Sequence, residues 1–289
     1  MGHIKEEHDC VMGPQVQPFK GAFAGYVAMK VQDFGHFDDP LVLFGGVHSN
    51  CHALLALKDA IAGRDAICTG DIVGFCGQPN ETTDLFSAED YWSIAGSCER
   101  QLADGSEDCG SGFEDGSACS ILARAWWPFL LKTATPDVVT WLHNLPEIGL
   151  FMHQGRRYAV LHGGATSNSR FIWPTTDEAD FRHEISALEA RVGVVDGIVA
   201  GHAGIAFQRV IDGRQWINAG AVGVPPHDGR PQTRYAVLDG GEVTFERLSY
   251  DVEAAVAAMK AAGLVQGYEI ALETGVWPSE DVLPDALKR

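Results

Sequence analysis

Three short apolar runs in this chain each end in a polar loop that contains glycine, and this repeated pattern limits the folds open to it. The run at 41–44 precedes GGVHSN at 45–50, the run at 66–68 precedes Gly70-Asp71, and the run at 91–95 precedes Gly96-Ser97. Short apolar runs bounded by glycine are typical of buried strands. Loops that follow neighbouring parallel strands meet at one edge of a sheet. The pattern therefore predicts an α/β fold with polar side chains gathered at that edge.

The rest of the chain alternates in the same manner between helical and strand patterns. Helices are predicted at 51–62, 123–132, 135–143, 180–192 and 252–262, where apolar residues recur at helical spacing. Further strands are predicted at 158–161, 197–200, 214–218, 234–238 and 242–248. We expect a single domain, although 289 residues would also allow two small cores.

Two segments do not fit the periodic pattern. Residues 1–39 show no sustained period and contain several glycines and prolines, so we expect a partly ordered N-terminal extension before a domain at 40–289. Residues 104–117, DGSEDCGSGFEDGS, are acidic and rich in Gly and Ser. This composition predicts a mobile surface insertion.

The charge and the cysteine content of the chain indicate which partners it can bind and in which compartment we expect it. The chain has 39 acidic against 21 basic residues, a formal net charge of −18 that repels polyanions, so nucleic acid is not expected as a partner. Its seven scattered cysteines are an odd number, which favours free thiols in a reducing cytoplasm. The first ten residues are charged and no apolar stretch is long enough to span a membrane, so we expect a cytoplasmic protein without a membrane partner.

Four of the loops that follow strands carry an imidazole or a carboxylate: His48, Asp71, His162 and His202. Neutral imidazoles with one anionic oxygen are the usual ligands of zinc, iron or manganese. A single His or Asp after a strand is more often a cap or turn residue. The order of the four along the chain is what favours a shared metal site.

The loops also resemble, in order, the five conserved blocks of the calcineurin-like metallophosphoesterases. The blocks stand here as GGVHSN (45–50), GDIVGFCGQPNE (70–81), GSCE (96–99), HGG (162–164) and GHAG (201–204). The chain is most similar to the bacterial YfcE-like, diadenosine-tetraphosphatase-like branch. The resemblance implies a four-layer α/β/β/α sandwich, in which two mixed β-sheets lie face to face with helices outside.

The resemblance further implies hydrolysis assisted by two metal ions, but three of the seven ligand positions are substituted. Gly46 stands where the family has Asp, Ser97 where it has Asn, and Gly204 where it has the last His. These substitutions remove ligands mainly from one of the two ion sites. Two divalent ions would also face little negative charge beyond that of Asp71, so we expect the second metal site to be lost.

The site residues carried over from the resemblance are therefore those of one ion. We expect one divalent transition metal (zinc, iron or manganese) on Asp71, His162 and His202, completed by His48, Ser97 or water. No residue is assigned to an organic cofactor. Cys98 stands where relatives carry His or Cys near the leaving group, so Cys98 and His48 are the catalytic candidates. For Cys98, an inert buried thiol is the equal alternative.

Three functions remain open on the sequence. The first is a phosphoesterase with a degraded, mononuclear site acting on a small phosphomonoester or phosphodiester. The second is a weak or inactive descendant that serves as a binding or regulatory module, and the third is a mononuclear site used for other metal-assisted chemistry. We expect Gly46→Asp, Ser97→Asn and Gly204→His together to raise metal load and hydrolysis. Substrate, metal identity and oligomeric state do not follow from the sequence.

Overall fold

The computed structural model describes residues 30–289, which form two β-sheets flanked by helices. The strands are β1 (Val31–Phe37), β2 (Leu41–Phe44), β3 (Ala66–Cys68), β4 (Trp92–Ser93), β5 (Ile148–His153), β6 (Arg156–Val160), β7 (Gly197–Ala200), β8 (Phe207–Ile211), β9 (Arg214–Asn218), β10 (Thr233–Asp239) and β11 (Glu242–Leu248). The helices are α1 (Cys51–Ile61), α2 (Pro79–Ala88), α3 (Ser97–Ala103), α4 (Ala118–Thr133), α5 (Pro136–His143), α6 (Glu178–Val192), α7 (Val252–Ala261) and α8 (Tyr268–Thr274), and a 3₁₀ turn lies at Asp285–Leu287.

Both sheets mix parallel and antiparallel pairs. The six-stranded sheet has the order β1-β5-β6-β7-β9-β8, and the five-stranded sheet has the order β11-β10-β2-β3-β4. In the first, β6, β7 and β9 run parallel. In the second, β2, β3 and β4 run parallel. These parallel segments put the loops that follow β2, β3, β6 and β7 at the carboxyl edges where side chains converge.

The buried apolar residues form three hydrophobic layers. One layer lies between the sheets and contains residues such as Leu43, Ile67, Val160 and Val199 from both of them. A second packs the outer face of the five-stranded sheet against helices, including α1, α4 and α7. The third packs the six-stranded sheet against α6. The described chain is thus the expected four-layer α/β/β/α sandwich.

Most predicted elements occur where the sequence placed them, and the omissions have physical causes. The strands at 41–44, 66–68, 197–200, 214–218 and 242–248 have the predicted bounds. We missed β5, although its run IGLFMH is apolar like those of the predicted strands. We also missed β8, whose run FQRVI shows no clear alternation, and α2, which begins at Pro79 in a stretch rich in Gly and Pro. α7 was predicted to be the last helix, but α8 follows it.

Two predicted boundaries differ from the structure. Residues 31–37, expected in the extension, form β1, which pairs in parallel with β5 at the edge of the six-stranded sheet and buries Phe34 and Phe37. The remainder of that extension lies outside the described residues. Within the acidic insertion at 104–117, Cys109 and Ser111 are buried, so part of it packs against the domain. No helix among the described residues is long and apolar enough to cross a membrane.

Candidate metal centre

The loops after β2 and β3 are held together by backbone hydrogen bonds that continue beyond the strands. The amide of Gly46 donates to the carbonyl of Gly70 at 3.1 Å, and the amide of His48 donates to the carbonyl of Asp71 at 2.9 Å. His48 and Asp71 have φ values of 52° and 55°, in the left-handed region that residues other than glycine rarely adopt. Non-glycine residues in such conformations concentrate at functional sites.

A buried glutamate, which the sequence analysis did not single out, ties these loops to the start of α3. The carboxylate of Glu99 accepts hydrogen bonds from the amides of Asp71 (2.7 Å), Val73 (3.0 Å) and Gly96 (2.7 Å). Burial, and then the charge of Asp71, raises the pKa of Glu99 to about 7. Only half of a sequence signal was present: Glu99 stands at the third helical position, from which it accepts a hydrogen bond from the Gly96 amide, but glycine at the N-cap has no side chain to complete a capping box.

The other sheet contributes two histidines. His162 follows β6 and His202 follows β7, and the carbonyl of His162 accepts hydrogen bonds from the amides of Gly201 and His202, both at 2.9 Å. The loops of the two sheets approach so closely that a Cβ on Gly201 would lie 1.9 Å from Oγ1 of Thr69. Only glycine fits at that position, which explains the glycine of the GHAG block.

Three side chains from these loops converge. Nε2 of His162 lies 3.2 Å from Oδ2 of Asp71 and 3.0 Å from Nδ1 of His202, and the ligand atoms of the three residues all lie within 4.8 Å of one another. Nδ1 of His162 donates to the carbonyl of Thr69 at 2.7 Å, so Nε2 is the ring nitrogen that faces Asp71 and His202. Two imidazoles and one carboxylate gathered this closely are a donor set that fits a metal ion.

The ionisation states of Asp71 and His202 are those that metal ligands require, whereas His162 would have to give up a proton that its surroundings favour. Burial alone would raise the pKa of Asp71, but His162, His48 and His202 outweigh it and hold that pKa well below its usual range. Burial, together with His162, lowers the pKa of His202 to about 3. For His162, burial is outweighed by Asp71 and by the Thr69 carbonyl, so its pKa is raised. At neutral pH Asp71 is therefore a carboxylate and His202 a neutral imidazole.

The other predicted site residues lie around this cluster in different roles. Oγ of Ser97 lies 3.4 Å from Oδ1 of Asp71, and the amide of Cys98 donates to the same oxygen at 3.1 Å. The side chain of Cys98 packs in the hydrophobic core beside the five-stranded sheet, and burial raises the pKa of its thiol well above the usual value. This environment favours an inert thiol over a nucleophile.

His48 lies in the same cavity but outside the cluster of three. Its ring packs on Phe75 with centroids 4.4 Å apart and the planes tilted by 35°, and burial lowers its pKa to about 4. A Cβ built on Gly46 would lie 2.6 Å from Nε2 of His48, so the imidazole fills the space beside Gly46. A Cβ on Gly204 would meet nothing closer than Trp277, at 3.7 Å.

A cavity opens directly beside the cluster. It is lined by His48, Asp71, Phe75, Ser111, Phe113, Cys119, Phe171, His202, Ala203, Gly204, Val224, Tyr268, Ala271, Trp277, Pro278, Ser279 and Val282. Its C-terminal wall is fixed by hydrogen bonds from Trp277, whose amide donates to Nδ1 of His227 at 2.8 Å and whose indole donates to the carbonyl of Pro225 at 2.6 Å. Segments distant in sequence therefore build one pocket over the candidate metal ligands.

Comparison with known proteins identifies the family. The sequence profile of the calcineurin-like phosphoesterase superfamily domain matches residues 41–242, more than half of the chain. The chain belongs to this superfamily. An uncharacterized protein of Methanocaldococcus jannaschii is 24% identical over 237 residues, which cover 74% of this chain and 89% of that protein. The superfamily consists of metal-dependent phosphoesterases, and in the described residues one cluster, that of Asp71, His162 and His202, could hold an ion.

Solved structures support the fold. A metallophosphoesterase from Sphaerobacter thermophilus superposes with a TM-score of 0.63 at 23% identity, covering 83% of this chain and all of that one. A hypothetical protein from Pyrococcus horikoshii superposes with a TM-score of 0.68 at 15% identity, covering 82% of this chain and 98% of that one. At these identities the likeness establishes the sandwich and leaves activity to the site itself.

Proposed function

We propose that this protein is a metal-dependent phosphoesterase that works with a single divalent cation held by Asp71, His162 and His202. The observation that carries the proposal is the convergence of these three ligand atoms within 4.8 Å at the carboxyl edges of both sheets. Three protein ligands with an open position are a common catalytic arrangement. Zinc, iron and manganese all suit two imidazoles and one carboxylate.

A divalent cation at this site would neutralise charge on the phosphoryl oxygens and lower the pKa of a water molecule. In the overall hydrolysis the oxygen of a water molecule bonds to phosphorus and the phosphorus–oxygen bond to the leaving group breaks. One proton of the water goes to the departing alcohol, and the other stays with the phosphate product or is released to solvent. The protein side chains orient the reactants. Asp71 is fixed for this purpose by the amide of Cys98 and the hydroxyl of Ser97, and His162 is fixed by Thr69.

His48 is the side chain we assign to orienting the attacking water. It lines the cavity, and with a pKa of about 4 its imidazole is neutral at pH 7 and suited to accept a hydrogen bond, while holding a proton only weakly. Its Nδ1 is buried and has no hydrogen-bond partner in the described part of the chain. For Cys98 we propose a positioning role through its backbone amide, because its thiol lies in the core.

The alternative function is a catalytically weak or inactive descendant that binds a ligand in the same cavity. The observation favouring it is the pair Gly46 and Gly204, which offer no ligand for a second ion. Losing one ion of a two-metal site removes transition-state stabilisation, and each 1.36 kcal/mol lost costs tenfold in rate. We therefore expect slow turnover of a small phosphomonoester or phosphodiester.

Metal analysis combined with kinetics separates the two functions. Protein purified without chelator should contain at most one transition metal ion per chain, and Asp71→Asn should lose it. With Mn²⁺ added, bis(4-nitrophenyl) phosphate should be hydrolysed slowly by the unmodified protein and not by Asp71→Asn. Two ions per chain would contradict the mononuclear site. One ion without any turnover would favour the binding module.

A further inference from the structure

The cavity beside the metal ligands has a largely apolar lining that includes five aromatic side chains, and it carries almost no charge. Phe75 stacks on Tyr268 with centroids 4.4 Å apart and a 7° angle between ring planes. On the opposite side, Phe171 stacks against Phe113 with centroids 6.2 Å apart, and its centroid lies 4.2 Å from that of His202. Trp277 is the nearest side chain above Gly204. These rings pack on one another and make the wall of the cavity apolar, an environment that suits an aromatic or other apolar group.

The charge of the lining excludes strongly anionic ligands. No lysine or arginine lines this cavity in residues 30–289, and Asp71 is its one formally charged side chain. A neighbouring cavity shares Ser111 and Phe113 with it and is lined by Glu107 and Asp108. Arg124 also lines that second cavity, but it is paired with Asp115 at 2.9 Å. Phosphate groups beyond the one at the cation would therefore lie among apolar and acidic groups, without a partner.

Charge balance at the cation favours a single negative charge on the ligand. A divalent cation with the carboxylate of Asp71 leaves one net positive charge, which a phosphodiester monoanion neutralises. A monoester dianion or a polyphosphate leaves surplus negative charge beside an apolar wall. Desolvating such a charge without a partner costs several kcal/mol in general.

From these observations we infer that the site takes a monoanionic phosphodiester with at least one aromatic or other apolar substituent, and that Trp277, Phe171 and Phe113 determine this preference. The inference rests on the proposed function for the cation at Asp71, His162 and His202. It adds the substrate class, and it excludes nucleoside polyphosphates and simple sugar phosphates as good ligands. Trp277 comes from the C-terminal segment and Phe113 from the acidic insertion, so neither belongs to the shared metal-binding loops.

Isothermal titration calorimetry of the full chain loaded with Mn²⁺ tests the preference without relying on turnover. Dibenzyl phosphate and dimethyl phosphate carry the same charge and differ in their rings, whereas adenosine triphosphate carries more charge. We expect dibenzyl phosphate to bind at least about tenfold more tightly than either, the change that one or two ring contacts provide. Equal binding of the two diesters, or tighter binding of adenosine triphosphate, would overturn the inference.

Substitutions test whether the proposed side chains cause the preference for aromatic diesters. Trp277→Leu should weaken dibenzyl phosphate binding about tenfold and leave dimethyl phosphate binding unchanged. The matched control is Trp141→Leu, since Trp141 is also partly exposed but packs on Phe86, away from the cavity. If Trp277→Leu does not fold, Phe113→Leu provides the same comparison. Unchanged affinity for dibenzyl phosphate in the cavity variant, or an equal loss in Trp141→Leu, would refute the assignment.

Turnover of bis(4-nitrophenyl) phosphate, measured separately, distinguishes the two proposals. Ring-dependent binding without hydrolysis would remove the hydrolase proposal and leave the ligand class standing. Hydrolysis without any preference for aromatic diesters would remove the proposed ligand class and leave the hydrolase proposal standing.

Discussion

The position of His48 predicts a specific cost for any side chain at Gly46. A Cβ there would lie 2.6 Å from Nε2 of His48 and 2.9 Å from Cβ of Ala221, distances that force a neighbour to move. Two effects should therefore destabilise Gly46→Ala. The first is the left-handed backbone at φ 49°, about 1–2 kcal/mol for a residue with a Cβ, and the second is overpacking, about 1–3 kcal/mol.

Gly204→Ala is the matched control, because it shares the backbone penalty without the overpacking. Gly204 has φ 68°, and its nearest neighbour would be 3.7 Å from the new Cβ. Thermal unfolding of the metal-free variants should place Gly46→Ala about 3–9 °C below Gly204→Ala, at roughly 3 °C per kcal/mol for a domain of this size. Adding His48→Ala should recover part of that difference. Equal melting temperatures for the two glycine variants would refute the proposed packing of His48 over Gly46.

Three further predictions concern the cluster, the pH dependence of stability and the C-terminal wall. His162→Ala should abolish metal uptake by elemental analysis, because it removes the ligand that contacts both Asp71 and His202; retained uptake would contradict the site. Because the pKa of His48 is about 4 in the folded protein, below its usual 6.5, His48 should contribute a loss of up to about 1.4 kcal/mol of unfolding free energy per unit as the pH of the metal-free protein falls from 6.5 to 4. His202, with a pKa of about 3, adds a loss of the same sign, so His48→Gln should lessen the slope in urea titrations without abolishing it. His227→Leu removes the acceptor of the Trp277 amide, so hydrogen exchange should quicken at residues 275–289; exchange that stays slow would show that His227 does not hold the segment.

The sequence predicted the strand ends and the convergence at the sheet edges because both depend on local pattern. Leu41–Phe44 and Ala66–Cys68 are continuous apolar runs ended by glycine, and parallel pairing of their strands brings the following loops together. The chemistry of the donor set was also visible, since Asp71, His162 and His202 have the residue types of a metal site. How these residues function remains a prediction.

The cavity could not be predicted in this way, because it depends on contacts between segments distant in sequence. Phe113 lies in a stretch whose composition is typical of a mobile loop, and Trp277 follows the last predicted helix. Nothing in the local pattern indicates that either reaches the metal ligands. The fixed position of Trp277 comes from hydrogen bonds to Pro225 and to His227, about fifty residues away in sequence.

Gly46 and Gly204 are best understood together with the side chains around them. His48 lies over Gly46, and Trp277 faces Gly204 from a segment held by His227, whose Nε2 donates to Glu280 at 2.7 Å. The two positions differ in the space that they offer. An aspartate at position 46 would have to displace His48, whereas a Cβ at position 204 would meet nothing closer than Trp277, at 3.7 Å. That the triple change Gly46→Asp, Ser97→Asn and Gly204→His raises metal load remains a prediction, and the displacement of His48 is the structural obstacle that we expect to limit it.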